Sequence, residues 1–287
     1  MTPSSANPSP DPSPNPLPIP LRAEGADGLA AIRKNPGEAV LAFDFDGTLA
    51  PIVEDPARAR AHPGAAPALA RLASSVGAVL IVTGRPAALA VEYGGLSAVD
   101  GLVVLGQYGV ERWEAGELTV PEPPPGVAEA RAKLPGVLAA VRAPEGVHVE
   151  DKGHALAVHT RRCAEPQVAL DRLRGLMEAL AERTGLQVEP GRYVLELRPP
   201  GMDKGVALRD YLAERAAPPS ALLYAGDDLG DLAAFAMVDA LRAEGVAGVK
   251  VCSGSTEVTA LAEQADLVVD GPAGVVDLLE RLIAVLS

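Results

Sequence analysis

Two aspartates, Asp44 and Asp46, follow the apolar run Ala39-Val40-Leu41-Ala42 with only Phe45 between them. The run reads as a buried strand breaking into a turn, with Gly47 relaxing the backbone just beyond the two carboxylates. A pair of this kind can divide a reaction, one carboxylate attacking while the other moves a proton. A bare D-x-D is equally a strand that ends in an acidic turn, so its meaning depends on what else reaches the same place. Three further turns are candidates. Ala78-Val79-Leu80-Ile81-Val82 ends at Thr83-Gly84-Arg85-Pro86, Lys204 stands near a helix start, and Leu222-Leu223-Tyr224-Ala225 ends at Gly226-Asp227-Asp228-Leu229-Gly230-Asp231. Each has a plain explanation too: threonine with glycine is common in turns, and acids at a helix start are often N-caps, which is all that Asp231 need be. Asp227 and Asp228 are harder to dismiss, because packing like charges together is costly without a cation.

The elements that must position these groups alternate as strand, loop, helix and strand from about residue 37, the pattern of βαβ units feeding a parallel sheet. Strands are expected at 39–45, 78–82, 102–105, 222–225, 249–252 and 267–269, with helices between them. In such sheets ligands bind beyond the carboxyl ends of the strands. Parallel topology therefore gathers Asp44, Asp46, Thr83, Asp227 and Asp228 at one edge, with Lys204 beside them. Carboxylates with a single lysine imply Mg²⁺ and a phosphate.

The alternation is interrupted. Residues 111–126 hold Trp113, a Glu-Ala-Gly-Glu turn and a Pro-Glu-Pro-Pro-Pro-Gly run, the edge of a separate module. Within it, 147–150 and 155–159 read as strands around Asp151-Lys152-Gly153. A helix follows from Pro166, with Leu170, Leu173, Met177 and Leu180 on one stripe and Gly185 as its stop, and then a hairpin over 187–197. The expected organisation is an α/β core of residues 37–112 and 197–287 carrying an inserted α+β module, 113–196. Residues 1–36 are expected to form a proline-rich, disordered tail.

The formal charge of −13 over 287 residues argues against nonspecific nucleic-acid or anionic-membrane binding, which needs clustered lysine and arginine. No apolar run approaches the roughly 20 residues that span a bilayer, and the N-terminus lacks a signal-peptide pattern, so a soluble, cytoplasmic protein is expected; a monomer is the separate expectation for its assembly. Cys163 and Cys252 form no C-x-x-C pair and suggest neither a zinc site nor a disulfide framework.

In order and spacing, Asp44-Phe45-Asp46-Gly47-Thr48, Thr83, Lys204 and Gly226-Asp227-Asp228 with Asp231 resemble the four motifs of the haloacid dehalogenase-like phosphatases. The inserted module lies between the second and third, where that superfamily carries its C2-type cap. Thr83-Gly84-Arg85 is similar to the S-G-R signature of trehalose-6-phosphate phosphatases, and Glu150-x-Lys152 to their E-x-K. His159-Thr160-Arg161 resembles their H-Y-R with threonine for tyrosine, and Glu196-Leu197-Arg198-Pro199 through Lys204-Gly205 their E-x-R-P-x-x-x-x-K-G. The resemblance covers about 38–287. It departs at Gly230, where that family's G-D-D-x-T-D carries threonine, so the helix cap or the groups behind the site must differ there.

The resemblance implies a Rossmann-like core with a parallel sheet flanked by helices, an α+β cap, Mg²⁺ as cofactor, and hydrolysis of trehalose 6-phosphate through an aspartyl-phosphate. Asp44 would be the nucleophile and Asp46 the acid and base. Mg²⁺ would be held by Asp44, the backbone carbonyl of Asp46 and Asp227, with Asp228 as a further ligand. Lys204, Thr83 and the amides around Gly47 and Thr48 would surround the phosphoryl oxygens, with Gly84 and Arg85 alongside. Glu150, Lys152, Arg161 and Glu196 are the implied holders of the distal glucose, with Gln107 and Tyr108 near the hinge as secondary candidates. Glu150 and Lys152 are also readable as a salt-bridged surface strand. Alternatives are a phosphatase of sucrose phosphate or of a mannosyl-phosphoglycerate, and a catalytically silent partner of a trehalose-phosphate synthase. Retention of Asp44, Asp46, Lys204 and Asp227 speaks against silence.

Overall fold

The structure, a computed structural model, describes residues 16–53, 55–254 and 259–287. Its larger sheet is built on β1 (Val40–Phe43), β2 (Ala78–Val82), β3 (Leu102–Gly106), β10 (Ala221–Gly226), β11 (Ala247–Gly254) and β12 (Leu267–Asp270). These six are parallel, and β4 (Glu111–Glu114) and β5 (Glu117–Thr119) extend the sheet antiparallel, in the order β12-β11-β10-β1-β2-β3-β4-β5. The central strands are apolar at nearly every position because both faces are covered. On one face, Leu41, Phe43, Val79 and Ile81 pack with α2 (Ala65–Ala73), α3 (Ala87–Gly94) and α9 (Gly271–Leu286). On the other, Val40, Ala42, Leu80 and Leu222 pack with α6 (Lys204–Ala213), α7 (Leu232–Ala243) and α8 (Thr259–Gln264).

The chain runs β1, β2, β3 to one side of β1, then returns to lay β10, β11 and β12 on the other. The reversal lies between β1 and β10, which pair with Phe43 opposite Ala225. Helical connections diverge there and leave a crevice at the strands' carboxyl ends. Asp44 and Asp227, the residues that follow β1 and β10, meet in it.

A second sheet, in the order β6-β7-β9-β8, consists of β6 (His148–Asp151), β7 (Leu156–His159), β8 (Gln187–Gly191) and β9 (Val194–Arg198), all antiparallel. Leu156, Val158, Leu195 and Leu197 bury one of its faces against α4 (Pro125–Ala140) and α5 (Pro166–Thr184). Period two places Glu150, Glu189, Glu196 and Arg198 on the opposite face. Helix α5 starts on Pro166 and stops at Gly185, whose φ of 66° is the left-handed cap glycine tolerates.

Two expectations are corrected. Residues 113–119, placed in the insertion, belong to the larger sheet: Trp113 pairs with Val104 and joins the core. The tail expected over residues 1–36 folds from residue 23, where α1 (Ala23–Lys34) buries Gly25, Gly28, Leu29 and Ile32. A Cβ at Gly28 would lie 2.2 Å from the carbonyl oxygen of Gly248, so this glycine lets the helix lie directly on β11. The stripe at i, i+3, i+4 and i+7 carries α1, although prolines dominate the sequence just before it; residues 1–15 lie outside the described residues. Helix α4 is additional, its buried Val127, Ala130 and Leu134 spaced for one face despite Pro135 within it. No helix among the described residues is long and apolar enough to cross a membrane.

Candidate active site

Asp44 continues the β1 ladder by donating its amide to the carbonyl of Ala225 at 2.8 Å, which fixes its side chain in the crevice. Lys204, the first residue of α6, points back into the same space because Asp203 caps that helix by accepting from the amide of Val206. Its Nζ lies 2.8 Å from Oδ1 of Asp44 and donates to Oδ1 of Asp231 at 2.7 Å. All three side chains are buried. Burial opposes the lysine's charge, but Asp231 and Asp44 more than offset it and hold Lys204 well above its ordinary range.

Asp231 does more than cap a helix. Its Oδ1 also accepts from the Tyr224 hydroxyl at 2.5 Å, and its Oδ2 accepts the amides of Asp227 at 2.9 Å and Asp228 at 3.1 Å. Burial would raise its pKa, yet Lys204 and these hydrogen bonds keep it below the usual carboxylate value. It is a charged anchor for the lysine. Tyr224 carries a signal that the sequence offers: a tyrosine inside a buried apolar strand must find a partner for its hydroxyl.

One oxygen from each of Asp44, Asp227 and Asp231 lies within 4.8 Å of the others. Burial, with the other carboxylates adding to it, raises Asp44 well above its ordinary value and pushes Asp227 up to about 7. A divalent cation would relieve that crowding, and an all-oxygen donor set suits a hard one. Both oxygens of Asp231 already have donors, so Asp44 and Asp227 are the carboxylates left to coordinate. Asp228, proposed as a ligand from sequence, is exposed and uses Oδ1 to accept the amide of Gly230 at 2.9 Å. With Asp231 it forms a reciprocal capping box over 228–231, so Gly230 leaves the helix start satisfied without a hydroxyl.

The loop after β1 wraps this center. Gly47 has a φ of 77°, and a Cβ there would fall 1.9 Å from Oδ2 of Asp227, so only glycine fits. Its carbonyl accepts from Ser253 at 2.7 Å, a buried residue at the end of β11 that the motifs did not reveal. Thr48 is fully buried with its hydroxyl unpartnered. Thr83 is buried and its Oγ1 accepts the amide of Arg85 at 3.1 Å. Arg85 turns its guanidinium onto Asp46, with Nε to Oδ2 and Nη2 to Oδ1 each at 2.6 Å.

On the second sheet, Lys152 Nζ donates to Glu196 at 2.7 Å, both side chains largely buried, which is not the exposed strand pair that sequence alone allowed. Glu150 is exposed and bonded to His159 at 2.9 Å, which lowers its pKa. Arg161 is exposed and makes no hydrogen bond or ion pair among the described residues. Gln107 is buried, and its Nε2 donates to Glu111 and to the carbonyl of Lys152, each at 2.6 Å, so it joins the two sheets. Glu111 also accepts the amide of Ala87 at 2.6 Å, tying the start of α3 to β4.

Comparison with known proteins agrees with this geometry. The trehalose-phosphatase family model matches residues 42–271. A trehalose-phosphate phosphatase of Mycobacterium marinum is 34% identical over 258 residues, 85% of this chain and 61% of that protein, so the chain spans about three-fifths of the relative's length. The C-terminal domain of a C. albicans trehalose-6-phosphate phosphatase superposes with a TM-score of 0.73 at 21% identity, covering 93% of this chain and 98% of that one. A haloacid dehalogenase-like hydrolase from Bacteroides thetaiotaomicron superposes at 0.64 with 16% identity, covering 85% and 98%. The fold is thus that of the haloacid dehalogenase-like hydrolases with a second sheet as cap, and the chain, matched from β1 to the start of α9 and carrying Asp44, Lys204 and Asp227 on the switch point, belongs to the trehalose-phosphatase family.

Proposed function

We propose that the protein is a Mg²⁺-dependent phosphatase that hydrolyses trehalose 6-phosphate to trehalose and phosphate through an aspartyl-phosphate on Asp44. The observation that carries the reading is the buried lysine shared by Asp44 and Asp231, beside a third carboxylate, Asp227, that makes no ion pair of its own among the described residues. A pocket built only to bind a sugar phosphate has no need of two crowded carboxylates.

Asp44, Asp227 and the backbone carbonyl of Asp46 would hold Mg²⁺, which screens the negative charge of nucleophile and phosphoryl group. An Asp44 oxygen forms a bond to phosphorus as the bond from phosphorus to the sugar oxygen breaks. Lys204, Thr83, Thr48 and the amides around Gly47 stabilise the phosphoryl oxygens as charge redistributes. Asp46 gives its proton to the departing sugar oxygen. It then takes a proton from the water that attacks the phosphoryl group on Asp44, which releases phosphate and restores both carboxylates. Lys152 and Glu196, with the exposed Glu150, would be the cap groups that pair sugar hydroxyls, where an unpaired group costs about 1 to 3 kcal/mol.

The test is phosphate release with Mg²⁺ across trehalose 6-phosphate, sucrose phosphate and a mannosyl-phosphoglycerate. Trehalose 6-phosphate is expected to lead. Brisk release from another sugar phosphate alone would refute the substrate, and silence on all would favour a binding module.

A further inference from the structure

The turn after β3 is held in an unfavourable shape. Gln107 and Tyr108 both adopt left-handed backbone, with φ of 45° and 58°, a region L side chains seldom occupy and which clusters at functional sites. Two hydrogen bonds fasten it to the loop after β2, from the amide of Gln107 to the carbonyl of Arg85 at 2.8 Å and from that of Tyr108 to Thr83 at 3.0 Å. The Tyr108 hydroxyl therefore lies against Gly84, where a Cβ would come within 2.8 Å of it.

From the other side, the Arg198 guanidinium sits 4.6 Å from the centroid of the Tyr108 ring. Arg198 is buried, donates to Glu189 at 2.7 Å and leaves Nε without a hydrogen-bond partner. Its packing on the ring is thus a principal contact, and it fixes the ring's orientation. The charged groups that act on Tyr108 come from both parts of the molecule: Glu196, Lys152 and Arg198 from the cap, Lys204 at the start of α6 from the core. Burial first, and then Glu196, raise its pKa, so the phenol stays protonated and can donate. Its hydroxyl has no hydrogen-bond partner among the described residues.

We propose that Tyr108 is a specificity-determining residue whose hydroxyl donates to the sugar unit bearing the phosphate, between the phosphoryl-binding loop at Thr83-Gly84 and the Lys152–Glu196 pair. A ligand whose phosphoryl group reaches Asp44 and whose far end reaches that pair must pass this hydroxyl. The inference rests on the sugar-phosphatase reading above.

Steady-state kinetics of wild type, Tyr108→Phe and Tyr108→Ala on trehalose 6-phosphate and on p-nitrophenyl phosphate test it, with melting temperatures to confirm folding. Tyr108→Phe keeps the ring under Arg198 and is expected to lower kcat/KM for the sugar phosphate about two- to tenfold, mainly through KM. The aryl phosphate, which carries no sugar hydroxyl for Tyr108 to donate to, is affected less, so the ratio of the two falls. Trehalose 6-phosphate is also expected to bind Asp44→Asn about two- to tenfold more tightly than Asp44→Asn/Tyr108→Phe in calorimetry. Equal losses on both substrates would reduce Tyr108 to a support for the Thr83–Arg85 loop and overturn the proposal, as would no loss on either. A wild-type protein that cleaves the aryl phosphate but no sugar phosphate would remove the reading itself, and this inference with it.

Discussion

Arg85 grips both carboxylate oxygens of Asp46 in a planar fork, each bond 2.6 Å long. The guanidinium is itself fixed by a 3.0 Å bond to the carbonyl of Pro56 and by the rings of Phe45 and Tyr93. A carboxylate held this way cannot carry a transferable proton on the oxygens that face the fork. Asp46 must therefore loosen from Arg85 to work as an acid. Arg85 is better described as a positioning residue than as a ligand for substrate.

That distinction is measurable. Arg85→Lys keeps the charge but loses the fork, and is expected to lower kcat on a sugar phosphate about tenfold while KM changes less than about threefold. The loss is expected to shrink with p-nitrophenyl phosphate, whose leaving group needs no proton. A rise in KM with kcat intact would return Arg85 to the substrate ligands.

Asp44→Asn would remove the proposed nucleophile while keeping an oxygen for Lys204 to donate to. Turnover is expected to fall by about 10³-fold or more, with the melting temperature lowered little, since one repelling charge leaves the cluster. Phosphate release at near wild-type rate by this variant would exclude the covalent route.

Asp227 predicts a pH dependence. Its pKa is pushed up to about 7 by burial and neighbouring carboxylates, against about 3.9 in an unfolded chain. Between those values the folded protein keeps a proton that the unfolded chain has lost. Its contribution to stability is thus complete below about pH 4 and is lost as pH rises through 7. A cation requires the deprotonated form. Mg²⁺ is therefore expected to raise the melting temperature more at pH 8 than at pH 5, and equal shifts at both would contradict this account of the cluster.

Lys152→Ala leaves Glu196 buried without its partner and removes a donor from the cap. KM for trehalose 6-phosphate is expected to rise about tenfold, while kcat/KM for p-nitrophenyl phosphate stays within about twofold. Parallel losses on both substrates would show that the pair only holds the cap together.

The parallel strands were legible because both sheet faces are buried, so Ala39–Ala42, Ala78–Val82 and Leu222–Ala225 read as unbroken apolar runs ending in polar turns. Helix α1 was not, because half of its buried stripe is glycine, Gly25 and Gly28, which carries little hydrophobic signal beside the prolines preceding it. Strand β4 and the edge strand β5 were assigned to the insertion because charged and turn residues dominate them. Arg198 entered the sequence only as a motif letter, and its packing on Tyr108 joins residues 90 apart in the chain.

By itself the sequence determined the chemistry on offer: two carboxylates after one strand, a threonine after the next, a lysine at a helix start and three acids in the last turn. Strand ends in a parallel sheet converge whatever the loops between them do, so local pattern sufficed to bring these groups to one edge. Only the tertiary structure decided how they divide the work. Asp231, readable as a mere cap, faces Lys204 and Tyr224, while Asp228, readable as a ligand, caps the turn. Arg85 closes on Asp46, and Gln107 and Tyr108 bridge core and cap. Such assignments depend on which of several nearby donors reaches an oxygen first, a matter of ångströms set by packing across distant segments.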